Sequence, residues 1–399
     1  MDMPLPDILW QIPMNTNFTN IKLLVMQKSI IPHIIAMYLP QFHCIPENDE
    51  FWGEGFTDWI TVKNAKPLFD GHKQPHIPLN GKYYNLSLKE DVEWQCELAS
   101  EYGIYGFGVY HYWFNDEKNL LTKPAEIMRD STTINTKYFF TWDNCSWVRS
   151  WSNVSGNDWS PLADMEVTKE GPKVLIPYVL GTESNWLNHY NYLRPHFHSL
   201  NYLKIDNKPV FSIINFDEQI EKMCVYWDGL AKKDGFEGIH FIFKFRLFVE
   251  YPKDSFFYNY EPHFSAWGNI NYITRMKNAI IRRLKIEKDI YFYDYDKVWK
   301  ALLSNAIKHS ESNYYHGAFI SYDDTPRRGR NRSRVVKGCT PAKFEKYLSE
   351  LIHISKEQNK EFIFLTAWNE WSEGAYMEPD EANSYSYLQS LKNAIYSSI

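Results

Sequence analysis

The 399-residue chain is poor in most features that would tie it to a metal, a nucleic acid, a nucleotide loop or a bilayer. Its five cysteines (Cys44, Cys96, Cys145, Cys224, Cys339) are scattered without C-x-x-C spacing. They offer neither a zinc set nor a disulfide framework, and a reducing compartment is the simpler inference. Basic residues are outnumbered: 43 Lys plus Arg against 49 Asp plus Glu leave a formal net charge of −6, the wrong sign for nucleic acid as main partner. No apolar run approaches the roughly 20 residues that span a bilayer, so stable membrane insertion is not expected. The opening Met1-Asp2-Met3-Pro4 has no basic segment followed by an apolar run, and a cytoplasmic location is the expectation. Glycine-rich strand-to-helix turns of the dinucleotide or P-loop kind are also missing.

Aromatic residues, by contrast, make up 17% of the chain, with 15 Trp and 28 Tyr. Codon bias in an AT-rich genome inflates Tyr and Phe but not Trp, so the tryptophans carry more weight. Flat aromatic faces are the usual platforms for the C–H faces of sugar rings. The most informative stretch is Thr366-Ala367-Trp368-Asn369-Glu370-Trp371-Ser372-Glu373-Gly374, which follows the apolar run Phe362-Ile363-Phe364-Leu365. That run reads as a buried strand. Two acids three positions apart, set beside indoles at a strand end, are opposed in ionising by desolvation and by each other. Such a pair can hold one carboxyl protonated and the other ionised, as glycosidic-bond chemistry requires. If the backbone turns helically there, both side chains share a face. The expected carboxyl separation is near or modestly above the roughly 5–5.5 Å of retaining glycosidases. The plainer alternative is a strand end with two solvated glutamates.

Residues 1–31 read as an unpatterned extension and 32–399 as one catalytic domain. The first strand, Pro32–Tyr38, runs into Leu39-Pro40-Gln41-Phe42-His43, and a long loop containing Trp52, Trp59, His72 and His76 follows. Long loops in compact domains are more often functional than idle. A helix over about Leu88–Tyr102 precedes a strand over Ile104–Tyr110, which ends in His111-Tyr112-Trp113-Phe114. The strand Tyr138–Phe140 ends in Thr141-Trp142-Asp143-Asn144, and the aromatic loop of Trp147, Arg149, Trp151 and Trp159 lies beyond it. Further strands are expected at Val174–Pro177, Pro209–Ile214, Ile239–Phe243, Phe256–Tyr258 and Ala318–Ser321, and a basic helix at Ile270–Leu284. Strands alternating with helices imply a parallel sheet, and about eight such units fit a (β/α)8 TIM-type barrel. Polar and aromatic residues gather after the strands, on the catalytic face of such barrels.

Asp294-Tyr295-Asp296 has the letters of a nucleotide-sugar metal motif but reads as a helix cap. Asp323-Asp324 sits at a strand end, where contact with sugar hydroxyls or with Arg327 is favoured over metal. His43, His72, His76 and His111 lack zinc spacing, and His43 and His111 read better as hydrogen-bonding groups for sugar. The run from Arg327 to Arg334 is either a solvated loop or a contact for phosphate, diphosphate or acidic sugar.

Tyr38-Leu39-Pro40-Gln41-Phe42-His43, Trp52-Gly53-Glu54-Gly55-Phe56-Thr57-Asp58-Trp59, Tyr110-His111-Tyr112-Trp113-Phe114, Lys208-Pro209-Val210-Phe211 and Trp368–Gly374 with Glu378-Pro379 resemble the WbsX-type family. Its members are usually described as glycosyltransferases of O-antigen or capsule clusters. That family is similar in turn to glycoside hydrolase family 99, the endo-α-mannosidases and mannanases, which are (β/α)8 barrels. The resemblance covers about Pro32 to Pro379. It implies a retaining two-glutamate site that needs no cofactor or metal. Glu370 would deprotonate the sugar 2-OH for attack on C1, giving a 1,2-anhydro sugar, while Glu373 protonates the leaving oxygen. Tyr38, Gln41, His43, Trp52, Trp59, Tyr110, His111, Trp113, Trp142, Asp143, Tyr260, Asp323, Arg327, Trp368, Asn369 and Trp371 are the residues expected to meet substrate. That substrate would be an oligosaccharide or a lipid-linked or nucleotide-linked sugar of bacterial surface polysaccharide. Two rival readings remain: an intracellular mannosidase-like endoglycosidase, and a non-catalytic carbohydrate-binding protein, against which the intact glutamate pair speaks.

Overall fold

The computed structural model describes residues 31–148, 174–253, 255–268, 290–330 and 332–398. Eight parallel strands form its centre: β1 (His33–Tyr38), β2 (Ile104–Asn115), β3 (Lys137–Trp142), β4 (Lys208–Ile213), β5 (His240–Lys244), β6 (Phe256–Tyr258), β7 (Tyr314–Phe319) and β8 (Phe362–Thr366). Each pairs with its neighbour in chain order, and β8 pairs with β1 from His33↔Phe362 to Ala36↔Leu365, which closes the sheet into a barrel. Aromatic and β-branched side chains fill the interior because both faces of every strand are covered. The rings of Tyr258 and Phe364 stack there at 4.5 Å, with Phe139 edge-on to Phe364. Gly317 lets β7 approach the preceding turn, since a Cβ there would lie 2.2 Å from the Asn259 carbonyl oxygen.

The surrounding helices are α1 (Lys89–Glu101), α2 (Lys123–Asp130), α3 (Glu183–His198), α4 (Glu218–Lys233), α5 (Tyr295–Lys308), α6 (Pro341–Glu357) and α7 (Ser386–Tyr396). Their starts follow local chemistry. Asp217 accepts from the backbone N–H groups of Gln219 and Ile220, and Thr340 accepts from Lys343 ahead of Pro341. Asp294 caps α5 by accepting from Lys297, which places the Asp-x-Asp letters at a helix start. Among the described residues no helix lies between β5 and β6.

Two expectations about the chain need amendment. Val174–Ile176 is not a barrel strand: it pairs antiparallel with Trp147–Val148 and lies outside the closed sheet. Three apolar residues satisfy either role, and length alone could not separate them. The strand placed at Ala318–Ser321 begins earlier, at Tyr314, because Tyr314, Tyr315 and His316 are all buried. The N-terminal extension up to Ile30, the loop of Arg149, Trp151 and Trp159, and the basic helix Ile270–Leu284 lie outside the described residues.

Candidate active site at the mouth of the barrel

Past β8 the chain forms a small antiparallel hairpin, Asn369–Glu370 against Ala375–Tyr376, tipped by one 3₁₀ turn over Trp371–Glu373. Gly374 ends that turn at φ 56°, and a Cβ there would come to 3.0 Å from the Asp323 backbone nitrogen. The hairpin is fastened to β1: Asn369 Oδ1 accepts from Leu39 N at 2.7 Å, and its Nδ2 donates to Leu39 O at 3.0 Å. Below it lies a buried polar chain. Glu378 accepts from Trp371 Nε1 at 2.6 Å, Tyr84 Oη at 2.8 Å and Gln95 Nε2 at 2.6 Å, while Tyr38 Oη donates to Gln95 Oε1 at 2.5 Å. Burial pushes Glu378 up to about 7 despite those donors.

The hairpin brings Glu370 and Glu373 to one guanidinium. Arg327 contacts Glu373 Oε1 through Nη1 at 2.7 Å and Glu370 Oε2 through Nη2 at 3.2 Å. Its Nε donates to Ser372 Oγ at 2.5 Å, and Ser372 donates onward to Asp58 Oδ2 at 2.7 Å. Asp58 is also 3.6 Å from Arg327 Nη2. Glu370 is the deeper acid, its side chain 5% exposed against 20% for Glu373. Burial first, and then the charge of Glu373, push Glu370 up to about 8, with Arg327 pulling the other way. A proton therefore resides on this pair at neutral pH, on the Glu370 side in the unliganded site. Two phenols border it: Tyr260 feels both acids, and Tyr110 bonds to Tyr260 and feels Glu370. Burial raises both hydroxyls well above the ordinary tyrosine range, so both remain protonated donors.

The expected substrate residues divide by strand parity. On β2, Tyr110 faces the acids and Tyr112 accepts from Gln41 Nε2 at 3.0 Å. The intervening His111 and Trp113 point outward to α3, where His111 Nε2 lies 2.8 Å from His189 Nε2 and Trp113 stacks on His189 at 4.3 Å. Trp142 follows them: its Nε1 donates to Trp113 O at 2.9 Å and its ring packs on Trp227. These three belong to the wall between barrel and helices. Tyr38, Trp59, Trp368, Asn369 and Trp371 are likewise buried and taken up by protein contacts. They set the hairpin's position and present no exposed face to a ligand. His43 is buried with Nδ1 unpartnered, and burial lowers it to about 4, so its ring is neutral.

Asp323 does not pair with Arg327. It accepts from Gln74 at 2.9 Å and from Thr325 N at 3.0 Å, and lies 2.7 Å from His72 Nε2. Burial opposes its ionisation, but the bonds from His72, Thr325 and Gln74 outweigh that and hold it below the usual range. The Arg327–Arg334 run is not a free anion loop at its start: Arg327 is committed to the acids, and Arg328 pairs with Asp324 at 2.9 Å. Residues left at the opening are Gln41 and Trp52, which share a cavity with Asp58, Phe56 and Arg327, together with Tyr110, Asp143 and Tyr260. Residue-type reasoning missed Asp58, Tyr112, Lys244 and Ser372. The alternation along Tyr110–Trp113 could have revealed Tyr112, and the Ser between the two glutamates was visible in the motif. Nothing in the sequence linked Asp58 or Lys244 to it.

A closed parallel barrel with two acids just past the C-terminal end of one strand is an architecture that carbohydrate-active enzymes use. The chain belongs to the glycosyltransferase WbsX family, whose model matches residues 34–391. Protein WxcX from Xanthomonas campestris pv. campestris strain B100, itself uncharacterized, is 27% identical over 373 residues, covering 91% of this chain and 49% of that protein. The chain thus spans about half the length of the curated relatives it matches. Among solved structures, the family 99 endo-α-mannosidase of Bacteroides thetaiotaomicron superposes with a TM-score of 0.51 at 16% identity, covering 91% of this chain and 96% of that one. A glycoside hydrolase-like protein gives 0.53 at 14% identity, with 91% and 94% covered. At these identities the likeness is one of fold. No helix among the described residues is long and apolar enough to cross a membrane.

Proposed function

We propose that this protein makes or breaks a glycosidic bond in bacterial surface polysaccharide by a retaining, two-glutamate reaction in the cytoplasm. The observation that carries the reading is the single guanidinium of Arg327 spanning both carboxyls, with one of them pushed up to about 8. A pair that keeps one proton at neutral pH can supply an acid and a base at once. Glu373, the more exposed member, stands where a leaving group and an acceptor enter, and it acts as the general acid and then base. Glu370, deeper and beside Tyr110 and Tyr260, takes the proton of the sugar 2-OH as that oxygen attacks C1. This assignment requires the resting proton to move from Glu370 to Glu373 when sugar binds, a short transfer within one coupled pair. Tyr110 and Tyr260 donate to sugar hydroxyls, and Trp52 offers its face to a ring.

Two carboxyls serve water and sugar acceptors equally, so the acceptor is assigned by experiment. Isolated lipid-linked O-antigen or capsule intermediates, incubated with and without nucleotide sugars, are expected to lengthen in the transferase reading. Shortened chains without any nucleotide sugar establish the endoglycosidase instead. Unchanged glycans with tight binding establish the non-catalytic protein. The acid and base are separated by an activated aryl glycoside of a sugar that the enzyme accepts. Glu373→Gln should still release a first burst of aglycone from it, because that leaving group needs no proton, and then stall for want of the base that activates the acceptor. Glu370→Gln should lose both steps on every donor.

A further inference from the structure

Strand β5 ends at the barrel mouth on Lys244, and one residue past Phe245 comes Arg246. Neither has a carboxylate in ion-pair contact among the described residues. Lys244 Nζ sits 4.3 Å from the ring centroid of Tyr260, the phenol that borders both acids, and Lys244 feels the charges of Asp143 and Glu373. A third cation, Arg334, lies with its guanidinium carbon 4.9 Å from the Trp267 ring. All three act on His263, where burial first and then Lys244, Arg334 and Arg246 lower the imidazole to about 4. Burial first and then Arg246 lower Lys244 to about 8, outweighing the pull of Asp143 and Glu373 in the other direction. Of these two acids, Asp143 is itself raised by burial and Glu373 is bound to Arg327, so both compensate poorly. Cations held together beside a low-dielectric cleft favour an anion from outside.

We infer that Lys244 and Arg246 receive an anionic group on the sugar substrate, a carboxylate of an acidic sugar or a phosphate or diphosphate, beside the Glu370–Glu373 pair. The sugar in this statement rests on the function proposed above, while the anion site rests on the cations alone. Calorimetric titration of the full chain with sodium glucuronate, inorganic pyrophosphate and glucose tests it without any need for turnover. At least one anion should bind the wild type and Glu373→Gln, with glucose much weaker. The Lys244→Met/Arg246→Gln double variant should lose roughly tenfold or more in affinity, as expected for lost charge-assisted bonds. Lys244→Arg/Arg246→Lys should retain binding, and thermal melting confirms that both variants fold. Preference for glucuronate identifies an acidic sugar, and preference for pyrophosphate a phosphate-linked donor. Failure of both anions to bind, or equal binding by the Met/Gln variant, overturns the inference. Anion binding without any turnover on glycans removes the proposed reaction and leaves this site standing.

Discussion

Replacing Arg327 with Met removes the cation that stands between three acids at 2.7, 3.2 and 3.6 Å. Unit charges about 4 Å apart interact by roughly 4 kcal/mol at an effective dielectric of about 20, so the clamp is not a minor contact. Deleting one partner of a buried pair costs about 3–5 kcal/mol. The lower end applies here, because the stranded carboxyls can take up protons instead of remaining charged. Arg327 pulls Glu370 down, so its loss moves that acid further up from about 8. The folded state of the variant then binds more protons than the unfolded chain, in which the glutamate titrates near 4.5. Stability therefore falls as pH rises from about 4.5 in both proteins, but the fall levels off near 8 in the wild type and continues above 8 in the variant. Urea unfolding at pH 5.5 and 8.5 measures the slope, and the alkaline limb of the pH–rate profile should shift upward in any residual activity. Equal stability at pH 8.5 in variant and wild type, or an unmoved limb, would refute the clamp.

Asp58→Asn should do the opposite. Asp58 raises Glu370, so the variant's alkaline limb moves to lower pH while Ser372 still finds an acceptor; a shift upward sinks the argument. Glu378→Gln leaves an amide NH₂ facing donors from Tyr84, Trp371 or Gln95, and should cost about 1–3 kcal/mol in chemical denaturation, with a change in tryptophan fluorescence. An unchanged midpoint would mean that the buried chain under the hairpin does not hold it. Chelators should leave activity unchanged; inhibition reversed by added divalent metal would restore the Asp-x-Asp reading.

The barrel was legible because its strands are short apolar runs that end in chemistry-bearing residues, and Phe362–Thr366 followed by the paired glutamates is the clearest case. Residue type gives no direction, and along β2 adjacent positions face opposite sides of the sheet. His111 and Trp113 have the letters of a sugar site but pack on α3, whereas Tyr110 and Tyr112 face the barrel mouth. Tyr38 and Trp371 lie beneath the hairpin for a related reason: an aromatic with a polar tip satisfies a buried carboxylate as readily as a ligand, and Glu378 claims Trp371 directly and Tyr38 through Gln95. Asp58 could not be assigned at all, since it reaches Arg327 across 269 positions and only the closed fold brings them together.

Gly374 is the test of how tightly this arrangement is built. Its left-handed φ of 56° lets the chain reverse directly after Glu373, and the Asp323 backbone nitrogen donates to Glu373 O at 2.7 Å across the same gap. Gly374→Ala adds a Cβ at 3.0 Å from Asp323 and strains the backbone, at a cost on the order of 1–3 kcal/mol. Asp323 belongs to the His72 and Gln74 anchorage, so yielding at that contact tilts the turn that carries Glu373, while Glu370 remains fixed through Asn369 to β1. The two acids are thus held by different parts of the barrel, and the substitution should separate them. Turnover on natural glycans should fall by well over tenfold, whereas the first-turnover burst of aglycone from an activated aryl glycoside, which does not need the acid, should be nearly as large and fast as before. Equal losses on both substrates would mean that the hairpin moves as one body and that the anchoring inferred for Glu373 is wrong.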